Sequence, residues 1–518
     1  MRVIDYLDAG AQRAPDRPVL IAAEGGGAVS YAEAAALSRR IASAMTDTGL
    51  SDNAPVAVYS PNELQAFLAV FGIFRAGAAW VPLNARNVVE ENGYLLDRTD
   101  CEWLFYHSSF ANKVADLLEC APRVRHAVCL DSPDGERASL DELAARGGDT
   151  FDDRPDDPDR VAIIFSSSGT TGKPKGCAWT NRTCESYGRT QWQYMPTETP
   201  PVHLVAAPMT HAAGAVSWPL MKTAGSLVVL ARPDPLAILQ AIEHHRVTHL
   251  FLPPTVIYML LAHPRVREFD YSSLEYFIYA AAPMSVDKLK EALDIFGPVM
   301  TQVYGQAEAP MYMTILPSAD HLVIGDPAHE KRLWSCGRPT DAVELRLVDD
   351  DANPVATGET GEVAVRGDLV MAGYVNDPEA TAAVSRDGWH LTGDIGYQDA
   401  DDYLFLVDRK KDMIISGGFN IYSTEVEKAV LGHPAVQDCA VVGVPDEKWG
   451  EAVKAVVELK PGRRADAEEI IALCKQRIGS VKAPKSVEFW DELPRSNIGK
   501  VLKRKIRDRF WEGRARAI

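Results

Sequence analysis

Residues Ser166 to Gly176 read Ser-Ser-Ser-Gly-Thr-Thr-Gly-Lys-Pro-Lys-Gly, directly after the apolar run Val161-Ala162-Ile163-Ile164-Phe165. A β-rich run thus breaks into hydroxyls, glycines and two lysines. Glycines let backbone N–H groups approach an anion closely, Ser166, Ser167, Ser168, Thr170 and Thr171 add hydroxyl donors, and Lys173 and Lys175 add positive charge. Triphosphate is the guest such a loop suits. The spacing is not that of a Walker A loop, because five residues beyond Gly169 stands Pro174 and five beyond Gly172 stands Cys177. Read alone, a cluster of this composition is equally a plain turn between strands.

The elements around the loop must hold it in place. Up to about residue 300, helical patterns alternate with short β runs. A helix is expected over 30–45 with Ser30 as cap, a strand at 56–59, a helix over 62–74 and a strand at 79–82. Strands at 204–207, 227–230, 249–252 and 276–280 sit between helical stretches such as 235–244 and 286–296. This alternation predicts an α/β fold with βαβ units and largely parallel sheets. From about residue 344 the texture changes to β runs at 345–349, 361–366 and 403–407 with tight turns, which predicts a small antiparallel barrel. Asp408-Arg409-Lys410-Lys411-Asp412 is a charged break between two apolar strands, compatible with a domain boundary. Beyond it a compact α+β domain of roughly a hundred residues is expected, its first helix opened by a Thr424/Glu427 capping box and stopped by Gly432.

The 166–176 loop resembles the phosphate loop of the adenylate-forming superfamily, which comprises acyl-CoA synthetases, peptide-synthetase adenylation domains and luciferases. Five further segments match that family's pattern in order, so the resemblance covers essentially the whole chain. Ala280, Ala281, Ala282 and Pro283 resemble the wall beside adenine, where small side chains let a planar ring lie against backbone. In Tyr304-Gly305-Gln306-Ala307-Glu308 the resemblance makes Tyr304 the adenine stack and Glu308 the magnesium ligand. The family usually has Thr where Ala307 stands, and a lost donor in a buried site costs about 1–3 kcal/mol. Asp394, in the turn Leu391-Thr392-Gly393-Asp394, takes the ribose hydroxyls by resemblance. Arg409 matches a ribose or phosphate contact, Lys411 the hinge, and Gly417 and Gly418 the loop lining the thiol tunnel. Lys500, after Ser496-Asn497-Ile498-Gly499, matches the lysine that reaches the carboxylate and the α-phosphate, where negative charge builds on phosphorus. His211 matches an aromatic gate between acyl pocket and thiol tunnel, and we read it as a gate, not a general base.

The resemblance implies two half-reactions, with ATP, Mg2+ and coenzyme A as cofactors. A carboxylic acid attacks the α-phosphate to give acyl-AMP and pyrophosphate; a thiol then takes the acyl group and AMP leaves. It also implies an N-terminal AMP-binding domain over 1–408, a hinge at 409–411 and a mobile C-terminal domain over 412–518. The acyl pocket is expected to draw on Tyr187, His211, Ala212, Ala213, Val256, Ala280, Val303, Gly305 and Met311. These are mostly apolar and small, which suits a medium aliphatic or an aromatic acid. From Pro201 to Pro233 there is no Asp or Glu to pair a substrate ammonium, which counts against an amino acid. Transfer to a free-standing carrier protein is the alternative to coenzyme A.

Composition fits this reading. Apolar residues make up 46% and charged residues 24% of 518, and the net charge of −18 argues against nonspecific nucleic-acid binding and against a basic membrane surface. Basic residues collect near the C-terminus (Lys500, Lys503, Arg504, Lys505, Arg507, Arg509), a run that by itself reads as a solvated helix face. The eight cysteines show no metal-ligand spacing and read as free thiols of a reducing cytoplasm. No signal-peptide run opens the chain, no peroxisomal tripeptide closes it, and the longest apolar stretch, 64–83, is broken by Arg75, two glycines and Pro82, so no membrane span is expected. Oligomeric state stays open between monomer and homodimer.

Overall fold

The computed structural model describes residues 1–135, 137–167, 173–495 and 501–512. The chain divides into two compact units, Met1–Leu345 with Val365–His390, and Arg346–Ala364 with Leu391–Ile518. This division follows packing and does not locate a pivot.

The first unit is built on two sheets. One has six strands in the order His126–Cys129, Trp103–Tyr106, Pro55–Tyr59, Ala79–Pro82, Val161–Ser167, Lys175–Thr180. Its pairs are parallel except the last, where the chain turns back after Ser167. The other has nine strands, with a parallel centre formed by Ser226–Val229, Val202–Val205, His249–Leu252, Tyr276–Tyr279 and Met300–Gln306. Strands such as Ala79–Pro82, Trp103–Tyr106 and His249–Leu252 are buried along their whole length. Continuous apolar runs of this kind are what a parallel sheet covered by helices on both faces selects.

Helix ends follow local chemistry where the sequence encodes it. Ser30 caps the helix Tyr31–Asp47 in a full capping box: Glu33 N donates to Ser30 Oγ at 3.2 Å and Ser30 N donates to Glu33 Oε2 at 2.8 Å. The helices Pro235–His244 and Val286–Phe296 and the strand His249–Leu252 have the bounds their periodicity predicts.

A five-stranded sheet stands where the small barrel is expected, in the order Glu344–Val348, Gly361–Arg366, Trp389–Gln398, Ser385–Arg386, with Leu404–Arg409 also pairing with Trp389–Gln398; most of it belongs to the second unit. The rest of that unit is a second five-stranded sheet around the long antiparallel pair Val436–Asp446 and Gly450–Leu459, with helices Ser423–Leu431, Ala467–Lys482 and Lys503–Phe510. Its core gathers Ile414, Val426, Val430, Val441, Val453 and Ile470.

One local expectation is overturned. The helix Ser423–Leu431 has no capping box, because both residues of the expected pair are used elsewhere. The Thr424 hydroxyl donates to the Val407 carbonyl, and Glu427 turns inward, accepting from Val441 N at 2.8 Å and pairing with Lys503 at 2.8 Å. Asp408 accepts the first helical amide, that of Ser423, in their place.

Candidate active site

Parallel strands set the site's position. Val202–Val205, His249–Leu252, Tyr276–Tyr279 and Met300–Gln306 point the same way, so their C-terminal ends share one edge, where ligands of open α/β sheets bind. Tyr279 lies beside Gln302 in register, which brings the segment Ala280 to Pro283 next to Val303, Tyr304, Gly305 and Gln306. Ala281 holds φ at +73°, and Met311, one strand further, holds +51°. Each such residue with a Cβ costs of order 1–3 kcal/mol, a strain that clusters at functional sites. Gly305 has no alternative: a Cβ there would strike the Met311 backbone and the Ala309 carbonyl.

Glu308 is almost fully buried at 9% exposure and is held from two sides. The Tyr374 hydroxyl donates to Glu308 Oε1 at 2.6 Å, and Met371 N donates to the Glu308 carbonyl at 2.8 Å. Residues 371–375 run beside the strand Lys175–Thr180, with Ala178 N donating to Gly373 O and Val375 N to Gly176 O. Lys175 Nζ lies 4.8 Å from the centre of the Tyr374 ring, a cation–π contact. Burial, reinforced by the Glu308 charge, raises the Tyr374 pKa, so the phenol stays a donor. Cys177 is buried against the same carboxylate; burial first, and the Glu308 charge second, push its thiol well above the usual range and leave it unreactive.

Tyr374 is absent from the sequence-predicted set. Its only sequence signal is a Gly-Tyr pair after a β run, and nothing local ties it to a carboxylate 66 positions earlier.

Lys173 is exposed and lies 4.8 Å from the Tyr94 ring centre. Ser166 and Ser167 end the strand Val161–Ser167 opposite Gly176 and Lys175. Ser168, Gly169, Thr170, Thr171 and Gly172, and likewise Lys500, lie outside the described residues.

A chain of rings runs from His211 inward. His211 precedes the helix Ala212–Leu220 and contacts Phe165, centroids 5.3 Å apart; Phe165 stacks on Trp179 at 4.8 Å. The Trp179 indole donates to the Ala307 carbonyl at 2.6 Å, fixing the residue just before Glu308. Tyr187 follows, 4.7 Å from Tyr312, and its hydroxyl donates to Met311 Sδ at 3.3 Å. Of the expected acyl-pocket residues, His211 is exposed, Ala212, Val256, Ala280, Gly305 and Met311 are partly exposed, and Tyr187, Ala213 and Val303 are buried. The His211 ring is open to solvent yet walled by protein, and desolvation lowers its pKa, favouring the neutral imidazole.

In the second unit, Asp394 pairs in register with Arg409 across antiparallel strands, Arg409 Nε lying 3.2 Å from Asp394 Oδ1. The turn is fixed by Thr392, whose hydroxyl donates to Val363 O at 2.8 Å and accepts from Asp394 N at 3.1 Å. Lys411 lies in the short 3-10 turn Lys410–Asp412; burial, with the Arg409 and Arg507 charges, lowers its pKa. Gly417 and Gly418 hold φ of +58° and +81°, and a Cβ on Gly417 would strike the Trp449 ring.

Among the described residues no cluster of three or more His, Cys, Asp or Glu is arranged to hold a metal. One buried carboxylate that shares Tyr374 with Lys175 is a donor set that suits magnesium, which binds through one or two carboxylates, substrate phosphates and water. Glu308 therefore fits the ion.

Comparison with known proteins agrees with this architecture. The AMP-binding enzyme family model matches residues 7–375, and the AMP-binding enzyme C-terminal domain model matches residues 425–500. The medium/long-chain-fatty-acid–CoA ligase FadD8 of Mycobacterium tuberculosis is 44% identical over 371 residues, covering 70% of this chain and 63% of that protein, less than two thirds of its length. Feruloyl-CoA synthase of an Amycolatopsis species is 39% identical over 498 residues, covering 94% of this chain and 95% of that one. The solved structure of the amide bond synthetase McbA from Marinactinospora thermotolerans superposes with a TM-score of 0.88 at 30% identity, covering 98% of this chain and 100% of that one.

Proposed function

The chain belongs to the AMP-binding enzyme family, and on that premise we propose that it activates an aromatic or medium aliphatic carboxylic acid as acyl-AMP and passes the acyl group to the thiol of coenzyme A. The observation that carries this is the grouping around one tyrosine: the Tyr374 ring lies under the Lys175 ammonium while its hydroxyl holds Glu308. The cation we assign to the phosphates and the carboxylate we assign to magnesium thus share one tyrosine as their common neighbour.

In the first half-reaction a carboxylate oxygen bonds to the α-phosphorus, the bond to the β-phosphate oxygen breaks, and pyrophosphate leaves with the electron pair. Lys173 and Lys175 bind the phosphates. Tyr304 and the Ala280–Ala282 wall seat adenine, and Asp394 and Arg409 take the ribose. Lys500 supplies a cation to the carboxylate and α-phosphate. Magnesium, when bound at Glu308, neutralises charge on the triphosphate. In the second half-reaction the thiol sulfur bonds to the acyl carbon and AMP departs. Lys411 is the hinge between the two settings, and Gly417 and Gly418 line the thiol path. His211 gates between acid and thiol, as a neutral ring.

The pocket-side residues Ala212, Ala280, Gly305, Met311 and Val256 add no charge, which favours an uncharged acyl body over a dicarboxylate. Eight free cysteines, seven of them buried, fit a reducing compartment. Among the described residues no helix is long and apolar enough to cross a membrane.

The test is pyrophosphate and AMP release from the purified protein with ATP, Mg2+ and a panel containing octanoate, decanoate, ferulate, malonate and amino acids. Coenzyme A, an acyl-carrier protein and an amine are supplied in separate arms. Turnover of a medium-chain or aryl acid with coenzyme A supports the proposal. Turnover of malonate or amino acids alone, or of carrier protein alone, overturns the substrate or the acceptor assignment.

A further inference from the structure

The chain of rings that starts at His211 passes through Tyr187, whose hydroxyl is spent on a weak bond. It donates to Met311 Sδ at 3.3 Å, and a thioether is a poor acceptor. Buried phenol protons ordinarily reach a stronger acceptor than sulfur. The polar groups beside it have committed their protons elsewhere: the Tyr312 hydroxyl donates to Gln191 Oε1 at 3.1 Å, and Gln191 Nε2 donates to the Val216 carbonyl at 3.0 Å. Burial first, and the neighbouring Tyr312 next, push the Tyr187 phenol well above its usual range, so it keeps its proton to donate.

The two partners in this bond differ in freedom. Tyr187 is fully buried on the helix Asn181–Tyr194, and its ring packs against Trp179 at 6.4 Å, Trp218 at 5.8 Å and Tyr312 at 4.7 Å between centroids. Met311 is the one residue of the strand Ala309–Leu316 that is not buried, and its side chain is unbranched and flexible. Its backbone stands against Gly305, where a Cβ would strike it, beside the segment assigned to AMP. A group that pushes the thioether aside meets a hydroxyl held in place by its own ring.

Resting on the acid-activating function proposed above, we infer that Tyr187 is a specificity-determining residue: an acid whose acyl body carries a hydroxyl, ether or carbonyl oxygen displaces the Met311 thioether and accepts the Tyr187 hydrogen bond in its place. Oxygen is the stronger acceptor, so the exchange favours such acids. An acid with only carbon at that point leaves the bond to Met311 as it stands. The thioether is thus a reserve acceptor, and the preference is moderate, not the roughly 10⁴–10⁵-fold that follows when a buried polar group is left unpaired. Without a donor the order reverses, because an oxygen that leaves water for an apolar pocket and finds no partner is penalised.

The test uses the full-length protein and acids paired so that the two members differ by oxygen in place of one CH2. Ring-methoxylated cinnamates are set against the matching ethylcinnamates, and octanoates with one mid-chain CH2 replaced by oxygen are set against octanoate. kcat/KM for pyrophosphate release is measured for every member. In at least one pair the oxygen acid should lead by about five- to tenfold, the scale of one stronger hydrogen bond. Tyr187→Phe should bring that ratio to one or below, whatever happens to the absolute rates. Met311→Leu keeps the bulk and removes the sulfur, so it should raise the ratio. Should Tyr187→Phe fail to fold, Met311→Leu decides, and a ratio that stays level or falls counts against the inference. Carbon acids level with or ahead of their oxygen partners in every pair, or a ratio that Tyr187→Phe leaves unchanged, overturn the role of Tyr187 while acid activation stands. A protein that activates neither a cinnamate nor an octanoate overturns the functional reading, and this inference falls with it.

Discussion

The Tyr374 hydroxyl donates to Glu308 Oε1 at 2.6 Å, joining a loop residue to a carboxylate on a different strand connection of the same unit. The bond aims one carboxylate oxygen and leaves the tyrosine ring as the platform for Lys175. Tyr374→Phe keeps the ring and the cation–π contact and deletes only the donor. Loss of a partner that orients a metal ligand typically costs 10–100-fold. Tyr374→Phe is expected to raise the Mg2+ concentration for half-maximal pyrophosphate release by roughly tenfold while shifting the melting temperature little. A magnesium titration of both proteins checks this, and identical curves count against the assignment.

Ala307 lacks the hydroxyl its family usually supplies, yet its backbone is pinned by the Trp179 indole at 2.6 Å. A threonine introduced there enters a fixed frame. Ala307→Thr is expected to lower KM for ATP by a few-fold, the scale of one added hydrogen bond of about 1 kcal/mol. Unchanged KM would mean that other donors already satisfy the α-phosphate.

Lys500→Ala should slow adenylation by roughly 10²–10⁴-fold, the range for removing a cation or donor that stabilises transition-state charge. Thioester formation from synthetic adenylate should fall far less. Equal loss in both assays would falsify the role given to this lysine.

Acid should destabilise the first unit through its buried histidines. His321 Nδ1 lies 2.9 Å from the Pro317 carbonyl, which can only accept, so Nδ1 carries the proton and Nε2 accepts from the Tyr279 hydroxyl at 3.0 Å. Burial pushes its pKa down to about 4, and the same cause puts His203 at about 4 and His249 at about 3. A histidine with a depressed folded-state pKa binds fewer protons folded than unfolded. Its stabilising contribution is complete above the unfolded value of about 6.5 and is lost as pH falls toward 4. For His321 the loss is about 3 kcal/mol across that window. Unfolding midpoints from pH 7 to 4 should fall steeply, and His321→Gln should flatten part of the slope. A flat profile for the parent protein contradicts this.

How far the residues announce the site can be seen at single positions. The strand Val161–Ser167 and the polar run after it declare themselves, because glycine, hydroxyl and lysine chemistry is compressed into eleven consecutive positions. Helix bounds at Val286–Phe296 and the Ser30 capping box are equally legible, since both depend on neighbours three or four residues away. The capping box expected at Thr424 and Glu427 has the right spacing and still does not form. Each of the two side chains finds a partner from elsewhere in the chain, Val407 for one and Lys503 with Val441 for the other.

The chain's amino-acid order, then, determined which residues carry charge, hydroxyls and conformational freedom, and where its regular elements begin and end. Tertiary structure alone decided that Tyr374 steadies Glu308, that Arg507 holds the carbonyl of Lys411, and that Tyr187 is buried against Tyr312. The reason is distance along the chain. Local periodicity and capping are settled by energies within a turn or two, whereas partners 66 and 96 residues apart meet only after the sheets have chosen their order and register.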